Sequence, residues 1–329
     1  MTYTSGSLIL ATDYNGFVST NAGANVNDVW STGSGDKGWG QTAMSTASVA
    51  GTITATQWAG LVNNLASMGS QTATTLTARS APTVGATINI LANLATDLTN
   101  CTNNRGNAAG SGTTSSTWTG STAKTTGTGS GASAWTITFT HTVTFPSADQ
   151  ARYFWNAGGL VRLDFSKTST GTDTDPDWNS FAASIGTLYL SGRVAGAAQT
   201  IGGTSYTGFT RVGGTGTPTT LATTTGWYTL TAGAAATTMF KIFNGTSPYT
   251  SDFIQVTAAK NAGATAFTFV TTWVDAGTGQ TSNITGGTDT ASPFSAFGTA
   301  PATLCRFVPP STTYLSNTWG TPAIAASVA

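Results

Sequence analysis

Between Trp135 and Phe145 the chain alternates strictly, with Trp135, Ile137, Phe139, His141, Val143 and Phe145 separated by five threonines. A period of two marks a strand with one buried face. Pro146 should end it, and Ser147 with Gln150 forms a capping box for a short helix, Ala148 to Trp155. The run Asn156-Ala157-Gly158-Gly159 should stop that helix, and a strand resumes over Leu160 to Phe165. Further strands are expected at 187–193, 226–231, 238–243, 252–259 and 265–275, the last two joined by the hairpin-length loop Lys260 to Ala264. Asp177 is placed to cap a short helix whose Trp178, Phe181 and Ile185 share one face. Strands at this density, linked mostly by Gly-rich turns, predict a mainly β fold with an antiparallel β-sandwich-like domain over residues 134–310.

Residues 1–105 follow a different period. Thr54 and Gln57 make a capping box, Trp58, Leu61, Leu65 and Met68 recur at helical spacing, and Gly69 should end the helix. Val84, Ile88, Leu91, Ala95 and Leu98 are spaced 4-3-4-3 after Pro82, which predicts a second amphipathic helix. That spacing suits either a short seam between identical chains or packing of the two helices within one subunit. Residues 106–133 are almost wholly Gly, Ser, Thr, Ala and Asn, and read as a linker. Residues 311–329 read as an extended tail.

Composition sharpens the picture. Charged residues are 7% of the 329, against about 25% in an average soluble domain. There is no Glu; 12 Asp balance 5 Lys and 7 Arg, so the formal charge is zero. That excludes nucleic-acid binding driven by a basic field and argues against a cationic membrane-surface helix. With 70 Thr and 40 Gly beside 10 Trp and 15 Phe, the chain favours β structure with a sizeable core. No apolar run reaches 18 residues, and Met1 to Gly6 lacks the basic and apolar regions of a secretory leader, so neither membrane insertion nor secretion is expected. Cys101 and Cys305, 204 residues apart, form no motif and read as two free buried thiols, with one disulfide as the alternative.

Candidate chemistry is sparse. The only histidine, His141, sits on the apolar face of a strand, and no Gly-x-Ser-x-Gly elbow occurs, so a His-based triad is not expected. A carboxylate pair for glycan hydrolysis would have to come from Asp173, Asp175 and Asp177. Their D-x-D-x-D spacing resembles a calcium loop, but Trp178 replaces the turn glycine and Ser184 the bidentate acid. No zinc spacing and no phosphate-binding loop is present, so no metal or cofactor is expected. Trp118, in the linker, and Trp319, in the tail, lack an obvious core role and are the candidates for stacking on a host glycan.

Three stretches together resemble virion structural proteins of tailed bacteriophages of the marine and cyanobacterial type. They are Ile9-Leu10-Ala11-Thr12-Asp13-Tyr14-Asn15-Gly16-Phe17, Ile53-Thr54-Ala55-Thr56-Gln57-Trp58-Ala59-Gly60-Leu61, and Ala151-Arg152-Tyr153-Phe154-Trp155-Asn156-Ala157-Gly158-Gly159-Leu160-Val161-Arg162. The third is similar to an ARYFFNAGG block followed, one residue on, by Ile or Val and then Arg; Trp155 stands where that block has a second Phe. The resemblance covers residues 1–190 and implies a non-enzymatic particle component of a tail, collar or fibre. It would be made in the host cytoplasm and released by lysis. Its implied partners are its own copies, in a homotrimer, and other virion proteins. A host-glycan-binding adhesin, a capsid decoration protein and a glycan depolymerase are the rival expectations.

Overall fold

The computed structural model describes residues 10–19, 24–48, 51–85, 93–108, 119–123, 135–167, 174–193, 198–247, 249–276 and 301–329, with backbone alone at 119–123, 135 and 174–176. The fold is mostly β, with antiparallel sheets and flanking helices.

The N-terminal part is helical because its caps and apolar spacing agree. Helix α1 (Ala11–Val18) buries Tyr14, Phe17 and Val18, and α2 (Val26–Trp30) is capped by Asn25 accepting from the Asp28 amide at 3.0 Å. Helix α3 (Ala55–Gln71) starts at the expected capping box: Gln57 N donates to Thr54 Oγ1 and Thr54 N to Gln57 Oε1. It runs through Gly69 to Gln71, because Gly69 lies inside the packing, where a Cβ would sit 2.5 Å from Leu76. Helix α4 (Leu94–Asn103) begins ten residues after Val84, behind Asn93 in the left-handed region, φ 57°. Its buried positions Leu94, Leu98 and Cys101 pack on α3.

The strands, numbered along the chain, form two large sheets. One has five strands in the order β1 (Thr119–Ala123), β12 (Ala302–Val308), β3 (Leu160–Ser166), β4 (Thr187–Leu190), β7 (Phe209–Val212). The other has six, in the order β13 (Ala323–Val328), β2 (Trp135–Thr144), β11 (Ala266–Asp275), β10 (Phe253–Lys260), β9 (Thr237–Phe243), β8 (Thr220–Leu221). A small hairpin, β5 (Gln199–Ile201) and β6 (Thr204–Tyr206), lies apart. Helices α5 (Ala148–Asn156) and α6 (Thr174–Ile185) precede β3 and β4.

The alternation at 135–145 is observed as β2, with Ile137, Phe139, His141 and Val143 buried. Its register with β11 aligns Thr140 with Val270 and His141 with Phe269, so both strands turn the same side inward. Trp273 on β11 donates its Nε1–H to Thr303 Oγ1 on β12 at 3.1 Å, and Phe209 on β7 meets Phe269 at 6.0 Å. The buried faces of the two sheets therefore touch.

Three expectations are corrected. Residues 311–329 are extended at 323–328 but belong to the sheet and are not a tail: β13 pairs with β2, and the Ala329 amide and carbonyl both bond Thr138 at 2.9 Å. The alternation of Ile324 with neighbouring alanines was too weak a pattern to announce a strand. Within 106–133, β1 pairs with β12 and Ala108 bridges to Ile201, so part of the low-complexity stretch belongs to the sheets. Residues 226–231 form turns, with Trp227 N donating to Ser191 O. One hydrophobic cluster runs from Tyr14 through Trp58, Trp155 and Trp273 to Ile324, so the change of period near residue 105 does not interrupt the core.

Candidate functional site

The residues singled out from sequence do not converge. Trp118, Ile88, Leu91 and Asp173 lie outside the described residues. Trp319 is 2% exposed, within the core, and offers no ring face to a sugar. Thr318 beside it donates to Trp39 O at 2.5 Å, and Gln41 and Ser316 exchange two hydrogen bonds, so this segment is fastened to the N-terminal loop. Val84 is 94% exposed in a turn, Ala95 is exposed and Leu98 is buried, so these three do not share a seam. Helix α4 starts only at Leu94, so Val84 is not part of it, and the buried side of α4 carries Leu94, Leu98 and Cys101, which leaves Ala95 outside. His141 is buried on the inward side of β2. Asp177 falls inside α6, where it accepts a 2.5 Å bond from Asn244 Nδ2 and burial pushes its pKa up. No cluster of three metal-ligating side chains occurs among the described residues.

The Ala151–Arg162 block forms a joint. Helix α5 is capped by Ser147 and ends at Asn156; two residues on, Gly158 has a φ of 98° that suits glycine, and a Cβ there would collide with Ala108. From this helix Arg152 donates to the carbonyls of Thr32 and Lys37, and Asn156 Nδ2 to those of Lys37 and Gly38 at 2.8 and 3.1 Å. Asn156 O accepts from Trp39 Nε1, and Asn156 Oδ1 from the Tyr228 hydroxyl at 2.5 Å. Trp155 stacks on Trp227 at 5.5 Å. A cavity of about 270 Å³ beside this joint is lined by Asp36, Arg105, Asn107, Asn156, Gln199 and Tyr228. Arg105 pairs with Asp36, and burial pushes the Tyr228 phenol far up, so it stays neutral. These groups hold the 31–41 loop against α5; they do not assemble a nucleophile with a base.

The outer faces of the two sheets differ sharply. On the five-stranded sheet Arg162 and Arg306 stand opposite each other across β3 and β12. Asp164 bridges them, 2.8 Å from Arg162 and 3.8 Å from Arg306, and accepts from Thr187 Oγ1 at 3.0 Å. Tyr189, under Arg162, is packed edge-on by Tyr206 of the β5–β6 hairpin at 5.2 Å.

On the six-stranded sheet the outward row at mid-height is Ser327, Thr140, Val270 and Thr257, from β13 to β10. The row to one side is Ala325, Thr142, Thr268 and Ala259, with the Thr142 and Thr268 hydroxyls 3.2 Å apart. On the other side Thr138, Thr272 and Gln255 lead to Lys241 on β9, and Thr136 and Val274 to Phe253 and Phe243. The ionisable residues of the four strands from β13 to β10, His141, Asp275 and Lys260, all point inward and are buried. The outward side of those four strands therefore carries no charge. Lys241, at the rim, is covered by the rings of Phe253 and Phe243 at 3.9 and 4.7 Å. The sequence announced the five threonines of β2, but only the register reveals that three neighbouring strands extend the same surface.

A groove of about 490 Å³ opens beside that rim, lined by Phe243, Asn244, Thr246, Ser180, Ser184 and Thr217. It is uncharged and rich in hydroxyls. Among the described residues no helix is long and apolar enough to cross a membrane. Comparison of the chain with family models, characterised proteins and solved structures finds no significant match.

Proposed function

We propose that this protein is a non-enzymatic structural component of a tailed-phage virion, part of a tail, collar or fibre, working through self-association and through contacts with other virion proteins. The two sheets act as the layers of a β-sandwich-like body, and the helical N-terminal part serves attachment. The observation that carries this reading is the uncharged outward side of the six-stranded sheet. Solvated sheet faces ordinarily carry charged side chains that keep copies apart. A broad face without them can be buried against a neighbour without desolvating an ion. The resemblance of the Ala151–Arg162 block supplies the particle class, and its role as a structural joint suits a durable part.

The test is immunogold electron microscopy of intact source particles with an antibody against residues 134–310. Label on tail, collar or fibre is expected. Even label over the head would make this a capsid decoration protein. Absence from particles, with the protein present in the lysate, would overturn the reading.

A second reading, a host-glycan-binding adhesin, draws on the hydroxyl-lined groove beside Phe243, whose ring is 37% exposed. An aromatic edge with several hydroxyls suits a neutral sugar. Ser180→Ala with Thr246→Val should then reduce cell binding without changing oligomeric state; unchanged binding would remove this reading.

A further inference from the structure

We propose that the outward side of the six-stranded sheet docks on the same side of another copy of this chain. This rests on the self-association proposed above and adds the surface and the partner; like face on like face closes as a two-fold pair of copies, not as the trimer that the resemblance implies.

Charge is the first argument. A partner presenting ionised groups would find no counter-charge on the four strands from β13 to β10, and would lose hydration without compensation. A second copy brings an equally uncharged surface. Hydrogen bonding is the second. Each threonine hydroxyl both donates and accepts, so an array of them can satisfy an identical array. The Thr142 and Thr268 hydroxyls, 3.2 Å apart across two strands, already show such pairing within one copy. Between the hydroxyls, Val270, Val274 and Phe253 supply apolar contact.

Area is the third argument. Four strands about 4.8 Å apart, over about nine residues of about 3.4 Å rise, give a footprint of about 600 Å². Two such faces bury about 1,200 Å², the lower bound for a specific interface. The opposite outer face fits this role less well, because Arg162, Asp164 and Arg306 would have to be desolvated and the β5–β6 hairpin already packs on Tyr189.

The full-length chain should be examined by sedimentation velocity and light scattering at micromolar concentration. Wild-type protein is expected at a multiple of 33.2 kDa. Thr140→Lys with Thr272→Lys, with unchanged circular dichroism, should shift it to the single-chain mass. Ser166→Lys, exposed on the five-stranded sheet, should leave assembly intact. If the lysine pair does not fold, Val270→Asn, uncharged and central, must still weaken association about tenfold. A monomeric wild type, assembly that survives the central substitutions, or equal dissociation by Ser166→Lys would overturn the proposal. Gold label on particles with a monomeric chain would reject this docking and leave the virion reading standing. Assembly through this face with no label on particles would do the reverse.

Discussion

The two large sheets share a core and divide the chain's few charges in opposite senses. On the five-stranded sheet Arg162, Asp164 and Arg306 face outward, and the chain's own β5–β6 hairpin packs on that side. On the central strands of the six-stranded sheet, Lys260, Asp275 and His141 face inward and the outward side is threonine, valine and alanine with Gln255 and Phe253. Burying ionisable groups while leaving a whole face neutral runs against ordinary partition, in which charge is exposed. The contrast is the reason we propose the neutral face as the one that a second copy covers.

The largest expected effect lies where the two sheets meet. Trp273→Ala empties the contact with Phe139 and Trp178 and removes the bond to Thr303, so unfolding free energy should fall by about 3–5 kcal/mol. Chemical denaturation measures it, and a loss below about 1 kcal/mol would mean that the sheets do not depend on this contact.

Asp164→Ala leaves Arg162 and Arg306 facing each other. It should cost about 1 kcal/mol at low ionic strength, because these side chains are partly exposed. Added salt should narrow the gap by screening the repulsion. A gap independent of salt would assign the loss to packing.

Lys260 sharpens the same comparison from the inner side. Its ammonium donates to Trp227 O at 2.6 Å, and burial lowers its pKa. Between the lowered folded value and the ordinary lysine value, the unfolded chain holds a proton that the folded chain has released. Stability from this group therefore rises with pH through that alkaline window. Lys260→Met should make the slope of Tm against pH less positive in that window, on a background in which Lys167, whose pKa burial also lowers, acts in the same sense and the burial-raised Cys101, Cys305 and Tyr228 act in the opposite one. An unchanged slope would show that Lys260 keeps its proton when folded. Smallest of all, Thr142→Val should change stability by a few tenths of a kcal/mol, since it removes one half-exposed hydroxyl pair on the outward face.

Much of this architecture was legible because local signals agreed with burial. The alternation at 135–145, the Thr54–Gln57 and Ser147–Gln150 caps, and the hairpin at 260–264 each appear where their residues point. The failures have physical causes. Val84 and Leu98 keep a helical interval on paper, but Asn93 starts the helix between them. Trp319 looked spare in a polar segment, yet the Gln41–Ser316 amide exchange pulls that segment into the core. β13 was hidden because alanine carries little pattern. The neutral face was only one-quarter visible, as the threonines of β2, because registers between distant strands are not written in any single window.

The most direct test of the central claim is site-directed spin labelling of the neutral face. Cys101 and Cys305 are buried, and burial pushes the Cys101 thiol up to about 12 and the Cys305 thiol higher still, so a label will select a new exposed thiol. Labels at Thr140→Cys should show strong dipolar coupling between copies, because packed sheets lie about 10 Å apart, while labels at Ser166→Cys should show none. Uncoupled labels at position 140, or coupling confined to position 166, would contradict the account.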